Sequence, residues 1–371
     1  PPARKMTAVG MTTDYDRLKD VKEFDEARIG VKGLSDSGIT TIPRIFIHPP
    51  ENLPASKSPS SYDGIPVIDL SGINDAVHGR PQIVQQVKEA AKEWGFFQLI
   101  NHGVPLTEIN DTISAFKSFH AEPLESRAKH YVRGELSGVA YTSNNDLYRS
   151  KAASWHDYVQ VWRAPEVSPV DEIPAAFRKE VVAWDGHVAA VAGRAAELLA
   201  DGLGLHGGRP KELGYLETRL WVGVYYPYCP QPDLTMGLSH HTDPGVLTVL
   251  VQNEVGGLQV KHGEEWVDVK PIKGSLIVNI GDFLQIVSNG EYNSVQHRVL
   301  ANANKEPRIS IVEFFNFGIG DGSKLYGPIP ELLSPEKPAL YRTFTKQEFD
   351  QNFFSKGLDS KSLVEKLWIE G

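Results

Sequence analysis

A succession of short β-rich segments in the second half of the chain limits what this sequence can fold into. From about residue 217, runs of branched and aromatic residues recur at intervals of roughly ten residues, separated by Gly, Pro, Asn and Asp. The runs are RLWVGVYYP, GVLTVLVQ, GLQVKHGEEWVDVKP, SLIVNIGD, NSVQHRVLAN and RISIVEFFN. Short strands at such even spacing are typical of an antiparallel sandwich or barrel. The pattern therefore predicts an antiparallel β core, with GEEWV forming a hairpin.

Helical segments flank this β-rich block on both sides. QIVQQVKEAAKEWG has helical periodicity and ends at a glycine, between the predicted strands IPVIDL and FFQLINHG. The tail returns to helical sequence, for example in SKSLVEKLW. We therefore predict an α+β protein with a helical N-terminal region, a β-sandwich centre and a C-terminal helical cover. The predicted parts are a leader and linker at 1–60, a mostly helical region at 61–205, the β core at 206–325 and the cover at 326–371.

Composition and charge restrict the class of protein and its partners. The chain has 371 residues, of which 41% are hydrophobic and 23% charged, as is ordinary for a globular protein. The formal net charge of −9 argues against nucleic acid or an anionic membrane as a partner. Cys229 is the only cysteine, which excludes an intrachain disulfide and a thiolate-rich zinc site. With no signal-like segment or membrane-length apolar run, we expect a cytoplasmic monomer that binds a small molecule.

The polar segment GLSHHTDP lies inside the predicted β core. In a strand, alternate side chains share a face, which pairs His241 with Asp243 and directs His240 to the other face. An imidazole and a carboxylate placed in this way supply two ligands of a 2-His-1-carboxylate site, which binds Fe(II) and leaves positions open. His297, in the predicted strand NSVQHRV, is available as the third ligand. The alternative for the His-x-Asp pair taken alone is a polar surface turn.

An arginine and a serine follow on the last predicted strand of the block. Arg308 and Ser310 in PRISIV share a face by the same period of two. A guanidinium beside a hydroxyl can bind a carboxylate through two parallel hydrogen bonds. Taken alone, Arg308 would be an ion-pair residue of the surface. Together with the histidines and the aspartate, the pair predicts a metal site with an anion-binding group beside it.

These residues lie in long motifs that resemble those of the plant 2-oxoglutarate- and iron(II)-dependent dioxygenases. The resemblance covers YYPYCPQPDLTMGLSHHTDPGVLTVLVQ, GGLQV, VNIGDFLQIVSNGEYNSVQHRV and RISIVEFF in the β-rich half. IPVIDL and KEWGFFQLINHGVP resemble the N-terminal region of that superfamily. EFDEARIGVKGLSDSGITTIPRIF resembles the leader of its branch of aminocyclopropane-carboxylate oxidase homologues. The resemblance implies a double-stranded β-helix, or jelly-roll, core.

The resemblance also implies roles for single residues. His241, Asp243 and His297 match the iron ligands of the family, which makes His240 a neighbour of the metal site. Arg308, Ser310 and Tyr226 match the residues that bind the distal carboxylate of 2-oxoglutarate.

Five further positions are candidates for substrate contact by the same resemblance. Val224 occupies a position where the family commonly has Asn, and Phe314 matches an aromatic residue that contacts substrate in flavonoid-acting relatives. The segment 141–162 is rich in aromatic and amide groups and lies where the family closes its pocket. Its candidates are Tyr141, Trp155 and Trp162. For each of these aromatic residues, packing in the core is the alternative.

The implied activity is oxidation of a substrate with iron(II), 2-oxoglutarate and dioxygen, with ascorbate as reductant and hydroxylation as the usual outcome. The leader and central region resemble most closely the type that hydroxylates benzoxazinoid glucosides, which predicts an indole-derived glucoside as substrate. A flavonoid, an indole alkaloid or a hormone is the alternative substrate. Two other functions remain open at this point: an ethylene-forming-type oxidase that does not use 2-oxoglutarate, and a non-catalytic small-molecule binder.

Overall fold

Two β-sheets face each other at the centre of the molecule. The structure is a computed structural model, which describes residues 15–54, 60–133, 138–318, 323–354 and 363–369. The strands in chain order are β1 (Val67–Asp69), β2 (Phe96–Ile100), β3 (Val139–Ser143), β4 (Asp157–Ala164), β5 (Thr218–Tyr226), β6 (Met236–His241), β7 (Leu247–Gln252), β8 (Leu258–His262), β9 (Glu265–Asp268), β10 (Leu276–Ile280), β11 (His297–Leu300), β12 (Arg308–Asn316), β13 (Leu325–Tyr326) and β14 (Phe344–Thr345). Within the described residues, the larger sheet has eight strands in the order β1-β2-β10-β7-β12-β5-β4-β3, and the smaller has four in the order β6-β11-β8-β9. Only β1 and β2 pair in parallel in these two sheets, whereas β13 and β14 form a separate antiparallel pair.

Helices cover the outer face of the larger sheet. The helices are α1 (Arg17–Glu26), α2 (Gly30–Asp36), α3 (Gly79–Glu93), α4 (Leu106–Ala121), α5 (Leu124–Ala128), α6 (Arg178–Gly202), α7 (Arg209–Glu212), α8 (Asp282–Val287), α9 (Lys346–Phe354) and α10 (Leu363–Leu367). Alternate residues of β12, Ile309 and Ile311, pack in one apolar cluster with Phe116 of α4 and Val188 of α6, and all four are fully buried. Burial of each such side chain stabilises the fold by roughly 1.5–3 kcal/mol. This cluster fixes the larger sheet against the helices.

The inner face of the larger sheet packs against the smaller sheet. Tyr226 and Val224 of β5 lie in one cluster with Leu258 and Val260 of β8. Further along the same face, Leu220 of β5 and Phe314 of β12 are only half-buried, and these two residues are paired across the strands. The space between the sheets is therefore filled at one end and accessible, with apolar walls, at the other.

The N-terminal leader is attached to the larger sheet through a buried carboxylate. Asp157, the first residue of β4, is fully buried and accepts hydrogen bonds from the backbone amides of Val31 and Lys32 at the start of α2, over 2.7 and 2.8 Å. A carboxylate at this end of a helix satisfies amides that have no partner within the helix. Phe46 packs edge-on against Trp155, with ring centroids 5.0 Å apart. The leader is therefore integrated into the core of the protein.

The structure confirms the predicted α+β jelly-roll fold class and the strands and hairpin of the β-rich block. It also adds β3 and β4, which lie in a part of the chain predicted to be mostly helical. Because β1 to β4 belong to the eight-stranded sheet, this sheet extends across the predicted boundary at residue 206, and the division into four parts stays a prediction. Residues 1–14 of the predicted leader and 55–59 of the predicted linker lie outside the described residues. Among the described helices, none has the length and apolar content that crossing a bilayer requires.

Candidate metal and cosubstrate site

Three side chains predicted to bind metal converge between the two sheets. His241 is the last residue of β6, Asp243 follows two residues later, and His297 is the first residue of β11. The Oδ1 atom of Asp243 lies 3.6 Å from the Nε2 atom of each histidine. One ligand atom from each residue can be chosen so that all three lie within 4.8 Å of one another. This donor set, two imidazole nitrogens and one carboxylate oxygen, fits iron(II) bound on one octahedral face.

Backbone carbonyl groups fix the orientation of both imidazoles. The Nδ1 atom of His241 lies 2.8 Å from the carbonyl oxygen of Ser239, and that of His297 lies 3.4 Å from the carbonyl oxygen of Val295. Since a carbonyl oxygen only accepts, each Nδ1 carries the proton and donates it, which leaves Nε2 with a free lone pair. Burial and the neighbouring His241 lower the pKa of His297 to about 4. At neutral pH this ring is therefore ready to bind a cation.

The second oxygen of Asp243 is engaged by neighbouring strands. Oδ2 accepts hydrogen bonds from the Thr248 hydroxyl and the Asn279 amide, over 2.7 and 2.8 Å. Burial acts to raise the pKa of Asp243, but the two imidazoles and these two hydrogen bonds outweigh it, so that the pKa is lowered. The carboxyl group is therefore ionised, with Oδ1 directed at the histidines.

The reason why His241 and Asp243 meet differs from the predicted one. The prediction placed both residues in one strand, but β6 ends at His241. The register of β6 against β11 also shifts between the pairs His241–His297 and Leu238–Val299, as in a β-bulge, which re-aims side chains. The alternation of side chains along a strand therefore does not explain why His241 and Asp243 face the same point. His240 points elsewhere, with its ring centroid 6.4 Å from that of Trp266.

A buried arginine lies at the start of β12, on the inner face of the larger sheet. Arg308 is 1% exposed and is paired across the strands with Tyr226, whose ring lies 5.2 Å from the guanidinium carbon. Within the described residues, all three guanidinium nitrogens lack a hydrogen-bond partner. Burial lowers the pKa of Arg308. A buried cation with five unused N–H groups is costly unless a ligand pairs with it, and the planar guanidinium fits a carboxylate.

Two hydroxyl groups accompany this arginine. The side chains of Ser310 and Tyr226 are hydrogen-bonded to each other, and burial raises the pKa of Tyr226. Both residues are at most 2% exposed. Val224 is paired with Ser310 on the adjacent strand and adds an apolar contact beside the hydroxyls. Arg308, Ser310 and Tyr226 together fit the far carboxylate of 2-oxoglutarate.

The candidate substrate residues fall into two groups. Phe314 is paired with Thr248 on one side and with Leu220 on the other, and Trp162 of β4 is paired with Leu220. This row lies on the inner face, at the level of Asp243. Both Phe314 and Trp162 are half-buried, as expected for the wall of an accessible chamber.

Tyr141 and Trp155 lie elsewhere. Tyr141 is in the outer-face cluster, 5.3 Å from the ring of Phe119, and its hydroxyl accepts from Arg127. It is thus on the opposite side of the sheet from Asp243, and its assignment to substrate is wrong. Trp155 is fully buried with the leader and donates from its indole nitrogen to the carbonyl oxygen of Tyr228, so that it packs in the core.

Three residues at the site were missed from the sequence. Thr248 and Asn279 bind Asp243, and no spacing rule connects them because they meet only when β7 pairs with β10. His156 is fully buried between Tyr226 and the smaller sheet, where its Nδ1 donates to the carbonyl oxygen of Gly237 over 2.7 Å. Burial lowers the pKa of His156 to about 4, so that this ring is neutral.

Comparisons with known proteins show the family to which this chain belongs. Residues 218–317 match the model of the 2OG-Fe(II) oxygenase superfamily, and residues 65–179 match that of the non-haem dioxygenase in morphine synthesis N-terminal region. The chain is 42% identical over 350 residues to 1-aminocyclopropane-1-carboxylate oxidase homolog 4 of Arabidopsis thaliana, covering 94% of this chain and 97% of that protein. It is also 42% identical over 359 residues to a 1-aminocyclopropane-1-carboxylate oxidase homolog of Solanum lycopersicum, covering 96% and 98%.

Two solved structures are similar over most of their length. The crystal structure of JOX2 in complex with 2OG, Fe and JA has 30% identity and a TM-score of 0.79, covering 92% of this chain and 98% of that one. The dioxygenase for auxin oxidation from rice has 26% identity and a TM-score of 0.69, covering 82% and 100%. With relatives at this identity over nearly the whole chain, this protein belongs to the plant 2-oxoglutarate- and iron(II)-dependent dioxygenases and is an enzyme of that family.

Proposed function

We propose that His241, Asp243 and His297 bind the catalytic iron(II), and that His240 takes no part in metal binding. The observation that carries this proposal is the convergence of two Nε2 atoms on one carboxylate oxygen at 3.6 Å. The hydrogen bonds at both Nδ1 atoms and at Oδ2 support it, because they leave one ligand atom on each residue. His240 lies beside Trp266, on the other face of the smaller sheet.

We also propose that Arg308, Ser310 and Tyr226 bind the far carboxylate of 2-oxoglutarate. When bound, iron and 2-oxoglutarate supply the oxidising power: reaction with dioxygen gives succinate, carbon dioxide and a hydroxylated substrate. The residues of the chain supply position and water exclusion. Arg308 holds one end of the cosubstrate at the filled end of the chamber, which leaves the end near Phe314 for the substrate.

The proposed substrate is a bulky, partly aromatic plant metabolite, with an indole-derived benzoxazinoid glucoside as the best candidate. The half-buried Phe314, Leu220 and Trp162 support a flat apolar ring beside the metal site. The glucose part of this candidate is supported by the resemblance of the leader and central region alone.

The polar side chains of Ser143 and Asn144, in the segment 141–162, are not available to a sugar. Ser143 is fully buried and hydrogen-bonds Asp157, and Asn144 is bonded to both the amide and the carbonyl of Ser154. These side chains hold the chain in place.

A plant hormone is the second candidate substrate. The similarity to a structure that contains JA, and to a dioxygenase for auxin oxidation, favours it. Both candidates are small molecules, and we further propose that the enzyme acts on them as a cytoplasmic monomer. Light scattering of the purified protein tests whether the enzyme is a monomer.

Product analysis tests the proposed function. The protein is incubated with iron(II), 2-oxoglutarate and ascorbate, and with matched pairs of aglycone and glucoside from the benzoxazinoid, flavonoid and indole classes, beside auxin-type and JA-type hormones. We expect release of carbon dioxide from 2-oxoglutarate and one added oxygen on a glucoside, with the glucoside preferred over its aglycone. The variant Phe314→Ala should reduce turnover of the aromatic substrate, whereas Leu18→Ala, at an exposed position of α1, should not. Turnover of the hormones alone would replace the first candidate by the second, and turnover of aminocyclopropane carboxylate without 2-oxoglutarate would refute both.

A further inference from the structure

Two side chains hold the oxygen of Asp243 that faces away from the histidines. Thr248 of β7 and Asn279 of β10 are paired in register across the two strands. Both donate to Oδ2, and both are 3% exposed. The backbone is fixed as well, because the amide of Asp282 donates to the carbonyl oxygen of Asp243 over 2.7 Å. The direction of the carboxylate is therefore set before any metal binds.

We infer that Thr248 and Asn279 are positioning residues that make Asp243 a ligand through one oxygen only. A carboxylate can bind a cation through one oxygen or through both. Here the two donors occupy Oδ2, so that binding through both oxygens would require these buried hydrogen bonds to break. The inference rests on the proposed metal site at His241, Asp243 and His297.

The number of carboxylate oxygens on the metal matters for the reaction. Two histidines and one carboxylate oxygen leave three coordination positions open. A second oxygen from Asp243 would take one of the positions that 2-oxoglutarate and dioxygen need. Thr248 and Asn279 would therefore protect cosubstrate binding more than they strengthen metal binding.

Two titrations under anaerobic conditions test this inference. In the first, iron(II) binding is measured by competition with a chelating dye, without 2-oxoglutarate. In the second, 2-oxoglutarate is added to the iron-loaded protein, and its chelation is followed by visible charge-transfer absorption. The double variant Thr248→Val with Asn279→Leu removes both donors. Thr248→Ser retains the hydroxyl, and Ser275→Ala removes a buried hydroxyl next to β10 that bonds Gln98 instead.

We expect the double variant to bind 2-oxoglutarate on the order of tenfold to a hundredfold more weakly, with a smaller loss of iron affinity. Thr248→Ser and Ser275→Ala should behave as the unaltered protein. If the double variant does not fold, Thr248→Val alone gives the same comparison with a smaller effect. Unchanged 2-oxoglutarate affinity, or an equal loss in Ser275→Ala, would overturn the inference. Absence of the absorption in the unaltered protein would instead refute the proposed function.

Discussion

Replacement of Arg308 by methionine should have opposite effects on the free protein and on cosubstrate binding. The guanidinium is buried, and within the described residues its three nitrogens have no partner. Methionine has a similar length and needs no hydrogen bonds. Because a buried charge without a partner destabilises a fold, Arg308→Met should leave the free energy of unfolding of the free protein unchanged or raise it by about 1 kcal/mol or more.

The effect on 2-oxoglutarate follows from the strength of charge-assisted hydrogen bonds. Such bonds contribute roughly 1.5–3 kcal/mol, so their loss should weaken binding about tenfold to a hundredfold. At a concentration one hundred times the dissociation constant, 2-oxoglutarate stabilises the unaltered protein by about 2.7 kcal/mol. The same concentration should stabilise Arg308→Met by only about 0.4 to 1.4 kcal/mol.

Denaturant unfolding with and without 2-oxoglutarate, in the presence of a divalent metal, measures both effects. Arg308→Lys should recover part of the binding, since an ammonium keeps the charge but not the planar donor pair. Arg298→Met is the matched control, because Arg298 lies over Trp266 on the other face of the smaller sheet. An Arg308→Met protein that is less stable in free form, and still gains the full stabilisation from 2-oxoglutarate, would contradict the assignment.

Three further predictions concern the metal site and the core. His241→Ala should lose iron(II) in a metal titration, whereas His240→Ala should retain it; the reverse result would refute the register. Burial lowers the pKa of His120 to about 3, so its neutral form stabilises the fold fully above pH 6.5, and the stabilisation declines by roughly 1.4 kcal/mol per pH unit below that. His120→Phe should remove this part of the pH dependence in urea unfolding, and an unchanged slope would contradict it. A Cβ at Gly281 would lie 2.1 Å from a backbone carbonyl oxygen, so Gly281→Ala should lower the free energy of unfolding by more than about 1 kcal/mol. Gly186 lies in α6 with open space around an added Cβ, so Gly186→Ala should raise the free energy of unfolding slightly. Equal effects of the two substitutions would refute the close contact at Gly281.

The strands made mainly of branched apolar residues could be predicted, and those with buried charges could not. β7 (LTVLVQ) and β10 (LIVNI) are mainly apolar runs between turn residues. β4 contains Asp157, Gln160 and Arg163, which make it resemble a surface segment. In the structure Asp157 caps α2, and Arg163 lies 3.6 Å from Asp185 of α6. These partners come from distant parts of the chain, so that no local pattern indicates them.

At the site, too, local patterns predict some residues, and others are brought together only by the folded sheet. The ligand types and the arginine could be predicted, because each lies in a motif with a chemical meaning. The face of Tyr141 could not, since β3 was not recognised as a strand and a shift of one residue reverses every side chain. The donors to Asp243 depend on the pairing of β7 with β10, which only the folded sheet establishes.

Diffraction data collected at the iron absorption edge test the central claim most directly. Crystals grown without oxygen, with iron(II) and 2-oxoglutarate, should show one anomalous peak about 2 Å from the Nε2 atoms of His241 and His297 and from Oδ1 of Asp243. The far carboxylate of 2-oxoglutarate should contact Arg308. A peak at His240, or 2-oxoglutarate bound away from Arg308, would contradict the account.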